Sequence, residues 1–100
     1  MNYLKDLGFS DVDIDDIVKC NYSYIIDNLE LNHSNVVEIV NYLMGIGIEK
    51  GTIKEIFMYQ VNLFFKTKDE IESSFDEYEI DSVIKSLNYD VNNIELIDFV

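Results

Sequence analysis

The opening of this chain recurs within it. Tyr3-Leu4-x-x-Leu7-Gly8-Phe9 returns as Tyr42-Leu43-x-x-Ile46-Gly47-Ile48, 39 residues later. The same offset pairs Ile14 with Ile53, Ile17 with Ile56, and Tyr24-Ile25-Ile26 with Leu63-Phe64-Phe65. A third, partial copy, Val83-Ile84-x-x-Leu87-Asn88-Tyr89, follows the second at an offset of 41, with Ile94 and Ile97 matching Ile53 and Ile56. A unit this short cannot bury its apolar face alone, so neighbouring copies stack. The expectation is one all-α domain over residues 1–100: a short array of about two and a half helix-turn-helix repeats with 3-10 turns. Its units run near 3–41 and 42–82, with a partial unit over 83–100.

Each copy reads as the same supersecondary unit. A helix stops at Gly8, Gly47 or Asn88, where a left-handed residue is wanted, and Asn is the second residue that tolerates that conformation. New helices then cover about 11–20, 51–60 and 91–99, apolar at helical spacing. Ser10 with Asp13 makes a weaker form of the capping box, and Asp90 caps the third helix, whereas Glu49-Lys50-Gly51-Thr52 is a poorer start. The runs Tyr22–Ile26 and Val61–Phe65 fit either a strand or a buried 3-10 turn. Their length and place between helices favour the turn, because two short strands alone leave open edges. Ser34 is set to cap the next long helix, and Thr67 with Glu70 another. Over 68–87 the apolar stripe changes phase, so a kink or break is expected near 78–81.

Charge narrows the possible partners. Twenty carboxylates face seven lysines, there is no arginine, and the net charge is −13. Arginine supplies the bidentate fork for phosphates and base edges, and a strongly negative chain repels a phosphate backbone. Nucleic acid is therefore disfavoured, and a protein partner, basic in character, is the natural company. Abundant isoleucine and asparagine, with no proline, alanine or tryptophan, read as the codon usage of an AT-rich genome. A single cysteine, Cys20, suits a reducing compartment. No signal-peptide pattern opens the chain and no apolar run approaches a bilayer span, so a cytoplasmic location is expected.

Candidate sites are few. Asp11-x-Asp13-x-Asp15-Asp16 resembles the start of a calcium loop, yet Asp16 and Tyr22 stand where glycine and a bidentate glutamate are required. These acids fit a helix N-terminus better. Cys20 and His33 are the sole thiol and imidazole, but nothing supplies an elbow, an orienting group or an oxyanion donor set. Cys20 is expected in core or half-buried packing and His33 at the surface. No enzyme activity, cofactor or metal is implied. The densest acidic stretch is Asp69, Glu70, Glu72, Asp76, Glu77, Glu79 and Asp81. Glu72 with Asp76, and Glu77 with Asp81, form like-charge pairs four residues apart that weaken a helix and that a basic partner would relieve. This stretch is the candidate partner surface. Tyr22, Tyr24, Phe57, Tyr59, Phe64 and Phe65 read as mostly core, with Tyr3, Tyr42 and Tyr59 partly exposed.

The layout resembles the mitochondrial transcription termination factor (MTERF) repeat. The carriers are Leu7-Gly8-Phe9, Ile14 and Ile17, Ile25-Ile26, then Ile46-Gly47-Ile48, Ile53 and Ile56, Phe64-Phe65, and the Thr67-Lys68-Asp69-Glu70 helix entry. The likeness is one of hydrophobic spacing across nearly the whole chain. Ser23 and Asn62 stand where the family usually has proline. The resemblance implies the MTERF-like fold. It also implies nucleic-acid binding along a basic groove, for which this chain lacks the residues: Lys5, Lys19, Lys50, Lys54, Lys66, Lys68 and Lys85 are outnumbered throughout.

The leading expectation is a non-enzymatic, acidic protein–protein interaction module, a monomer or weak homodimer with no membrane attachment. The alternatives are a nucleic-acid-binding relative of MTERF-type factors and an acidic nucleic-acid mimic that occupies a DNA- or RNA-binding protein's groove. The apolar end, Phe99-Val100, is expected either to fold back over the array or to pair with a second copy.

Overall fold

Gly8 and Gly47 turn the chain in the same way. Both adopt left-handed backbone, with φ of 95° and 107°. At the first, the Gly8 N–H donates to Lys5 O and the Phe9 N–H to Leu4 O; at the second, Gly47 donates to Met44 O and Ile48 to Leu43 O. This paired pattern is the Schellman motif, and the apolar contact that accompanies it joins Phe9 to Leu4 and Ile48 to Leu43, all buried.

The structure, a computed structural model, describes residues 1–99 and is all-helical. Its elements are α1 (Tyr3–Asp6), α2 (Asp11–Cys20), α3 (Ser23–Leu31), α4 (His33–Ile46), α5 (Lys50–Tyr59), a first 3-10 turn (Val61–Phe65), α6 (Lys68–Phe75), α7 (Ile80–Tyr89) and a second 3-10 turn (Val91–Leu96). α2 and α5 lie side by side in parallel: Lys50 Nζ meets Gly8 O, Lys54 bridges to Asp13 and Asp16, and Asn21 reaches Phe57 O. The second 3-10 turn packs against α5 and α7. α4 packs against α3, α5, the first 3-10 turn and α6. One apolar core joins these elements and includes Ile17, Ile39, Leu43, Ile56, Phe57, Phe64 and Phe75, all fully buried.

Asparagines stitch neighbouring segments together. Asn21 Nδ2 donates to Ile17 O and Phe57 O, Asn35 Nδ2 to Lys66 O at 2.7 Å and Phe64 O at 3.3 Å, and Asn32 Nδ2 to Phe64 O. Backbone carbonyls at irregular corners need donors, and these amides supply them. The asparagine content thus does structural work that genome composition does not explain.

Several local expectations fail. Asn88 does not stop a helix: α7 continues to Tyr89, the Asp90 N–H donates to Ser86 O, and among the described residues only glycines have positive φ. The Asn88 Oδ1 instead accepts from the N–H of Glu49, the residue that precedes α5 and makes no side-chain cap of its own. Tyr22–Ile26 forms no 3-10 turn. It enters α3, because Leu29 extends the helical spacing of Ile25 and Ile26 and no stop residue intervenes. Tyr22 and Tyr24 then lie outside the core, 73% and 63% exposed, stacked on each other. Ser34 caps nothing, since α4 already begins at His33 and Asn32 precedes it with its amide turned to Phe64 O. The third helix, expected over 91–99, is a 3-10 turn ending at Leu96.

Other expectations hold. Val61–Phe65 is a 3-10 turn, the Ser10–Asp13 capping box forms in both directions, and Asp90 accepts from the Asn92 N–H. At Thr67 half of the box forms, with the Glu70 N–H on Oγ1. The phase change resolves into a break, α6 ending at Phe75 and α7 beginning at Ile80. Past Leu96 the chain folds back so that Phe99 packs on Phe75; Val100 lies outside the described residues.

Among the described residues, Ser74 carries the buried side-chain polar atom that is left unsatisfied. It is fully buried on α6 and its Oγ has no hydrogen-bond partner. An unsatisfied buried hydroxyl costs stability, and alanine is the better helix former. Ser74→Ala should therefore raise unfolding free energy by about 1 kcal/mol, read from urea denaturation midpoints; a loss of stability would show that the hydroxyl has a partner in solution.

Candidate functional site

The acids of the chain divide by what holds them. Asp11 pairs with Lys5 at 2.7 Å, and Asp13 and Asp16 share Lys54 at 3.1 and 2.8 Å. The Ser10 backbone N–H, then Lys54, keep the Asp13 carboxyl below its ordinary value. Asp13 and Asp16 thus fasten α2 to α5 and Asp11 ties its start to Lys5, while Asp15 is exposed and in no ion pair among the described residues. Among the described residues no group of three or more His, Cys, Asp or Glu side chains is arranged to hold a metal ion.

Cys20 is exposed at the end of α2, against the expectation of a packed thiol, because Ile14 and Ile17 already fill the inward face of that helix. His33 is exposed as expected, with Nδ1 3.1 Å from Glu30 O and its ring against Tyr3. No contact among the described residues joins Cys20 to His33.

The seven candidate surface acids do not form one patch. Asp69 and Glu70 sit in the first turn of α6, where negative charge offsets the helix dipole. Lys68 approaches Asp69 at 3.7 Å and Glu72 at 3.0 Å, and the Glu72 hydrogen bond holds its ammonium above the ordinary range. Asp81 occupies the first turn of α7, again a favourable place. What remains is the corner between the helices, Asp76, Glu77 and Glu79. All three are exposed, and none is in an ion pair among the described residues. α6 has 8 residues, so this corner lies about 10 Å from Asp69 and Glu70, on the order of a Debye length.

The like-charge pairs also need revision. Glu72 and Asp76 remain one helical turn apart, with the Asp76 N–H on Glu72 O. Their charges, after burial itself, raise the Tyr42 phenol above its usual value. Glu77 and Asp81 are not neighbours on one helix, because residues 76–79 leave helical geometry between them.

Beside this corner the structure forms a cleft of about 260 Å³ between α7 and the second 3-10 turn. It is lined by the buried Val83 and Leu87 together with Leu96, Ile97 and Tyr78. Sequence reasoning missed it, because it expected a regular helix over 91–99 where the chain forms a 3-10 turn that ends at Leu96. No helix among the described residues is long and apolar enough to cross a membrane. Compared with protein-family profiles, curated proteins and solved structures, the chain finds no match.

Proposed function

We propose that this chain is a non-enzymatic, acidic interaction module that binds a basic protein through the corner between α6 and α7. The carrying observation is that Asp76, Glu77 and Glu79 stand exposed within four consecutive residues and in no ion pair among the described residues, whereas other exposed acids outside ion pairs, such as Asp15, Asp27, Glu38 and Glu55, are scattered along the chain. Unspent like charge at one place gives an oppositely charged partner both steering and affinity. The Schellman turns and the side-by-side packing of α2 with α5 support an MTERF-like architecture, and the arginine-free surface argues for a protein ligand over the nucleic acid of that family. A cytoplasmic monomer or weak homodimer is the accompanying reading.

Fluorescence anisotropy with a labelled oligolysine peptide tests this. Asp76→Asn/Glu77→Gln/Glu79→Gln should weaken binding severalfold at low ionic strength, while stability stays within about 0.5 kcal/mol of wild type. A control with the same net charge, Asp6→Asn/Asp15→Asn/Asp27→Asn, should bind nearly as well as wild type. Equal losses in the two triple variants would show that overall charge, not the corner, attracts the peptide.

A further inference from the structure

We infer that the cleft between α7 and the second 3-10 turn receives one bulky apolar side chain of a lysine- or arginine-bearing segment whose charges lie on the α6–α7 corner. The inference rests on the acidic-corner reading and adds where, and by what chemistry, the partner is anchored.

The cleft is preformed. Asn93 and Ser86 both line it, and Asn93 Nδ2 donates to Ser86 O at 2.9 Å, fixing the 3-10 turn to α7. The Asp98 N–H approaches the Tyr78 hydroxyl at 3.4 Å, tying the last residues across to the corner. A side chain entering between these ties meets walls that need no reordering, which spares entropy on binding. At about 260 Å³ the space falls below the range usual for cofactor and drug-sized sites, roughly 300–1,000 Å³, and suits a single anchoring residue.

Charge selects the occupant. Glu77 and Glu79 flank Tyr78 in the chain, and Asp98 follows Ile97. Within residues 76–99 the carboxylates Asp76, Glu77, Glu79, Asp81, Asp90, Glu95 and Asp98 face one lysine, Lys85. An acidic or neutral segment would leave these charges uncompensated, and a second copy of this chain would bring −13 against −13. A neighbouring cleft, lined by Gln60, Leu63 and Ile94, is less suited, because Lys66 places its ammonium 4.8 Å over the Phe99 ring there. Apolar burial supplies the anchor, and the carboxylates supply approach and orientation.

The test uses the full chain, isotope-labelled for NMR, titrated at low ionic strength with two synthetic peptides. One is a short lysine peptide with a single central leucine; the other has glycine in that place. The leucine peptide should bind about tenfold more tightly, with shift changes centred on Val83, Leu87, Leu96 and Ile97. Leu96→Asn, at an exposed position that folding does not need, should erase that advantage and leave glycine-peptide binding intact. Equal affinity for the two peptides, shift changes remote from the cleft, or an advantage that survives Leu96→Asn would overturn the inference while leaving the acidic corner standing. Concentration-dependent shifts at these residues without peptide would replace the basic segment by a second copy. If neither peptide binds, the acidic-corner reading fails as well.

Discussion

Phe57→Ala should cost about 3–5 kcal/mol of unfolding free energy, the largest loss expected from any single truncation here. Phe57 is fully buried on α5. Its ring stacks on Phe64 with centroids 3.9 Å apart and planes 8° from parallel, and meets Phe9 edge-on at 6.2 Å and 89°. One side chain therefore joins α5, the first 3-10 turn and the corner entering α2. Alanine would forfeit the burial and the aromatic contacts and leave a cavity beside Phe9 and Phe64. A domain of this size has about 5–15 kcal/mol in total, so the variant would retain a small part of it. The melting temperature should fall by on the order of 15 °C or more, measured by circular dichroism. Phe57→Leu keeps most of the volume and should lose far less. Tyr24→Ala removes an equally aromatic residue whose stack with Tyr22 is exposed, and should stay within about 0.5 kcal/mol of wild type. Comparable losses for Tyr24→Ala and Phe57→Ala would mean that the core around Phe57 is misplaced.

That contrast also marks how far the sequence is legible. Tyr24-Ile25-Ile26 and Leu63-Phe64-Phe65 align residue for residue, yet one enters a nine-residue helix and the other a five-residue 3-10 turn. The difference lies downstream. After Phe65 comes Lys66-Thr67, and Thr67 starts a new helix with its own cap, whereas Asp27-Asn28-Leu29 continues the helical spacing past Ile26. Stops and caps that act through their own neighbours were readable: Gly8, Gly47, Ser10 with Asp13, and Asp90. Features that depend on a distant partner were not. Asn88 looks locally like a stop, but its side chain bonds a backbone N–H 39 residues away. The acidic stretch was visible as composition; that only its corner is unspent followed from Lys68, the helix starts and the break at residues 76–79. The cleft beside it exists because residues after Asp90 form a 3-10 turn, a choice made by packing against α5 and α7 rather than by periodicity.

The glycines of α4 should respond to one substitution with opposite signs. Gly47 has φ of 107°, and a Cβ built there would meet only Ile84, at 3.8 Å, an ordinary contact. Space is therefore not the issue; backbone conformation is. Alanine in the left-handed region costs about 1–2 kcal/mol, and the Schellman bonds from Gly47 to Met44 O and Ile48 to Leu43 O leave the chain no easy alternative. Gly8 is a poorer probe, because its Cβ would lie 2.7 Å from Lys50 Nζ and disturb the bond that lysine makes to Gly8 O. Gly45 lies two residues earlier inside α4, exposed, with nothing within 4 Å of its Cβ. There alanine only removes unfolded-state freedom, and Gly45→Ala should stabilise by about 0.5–1 kcal/mol. Urea denaturation of the two variants should thus move the midpoint in opposite directions about the wild type. Gly47→Asn should fall between wild type and Gly47→Ala, since asparagine tolerates left-handed backbone better than alanine does. A neutral Gly47→Ala would mean that α4 does not end in a left-handed turn, and the register between α4 and α5 that sets Asn88 on Glu49 would have to be redrawn.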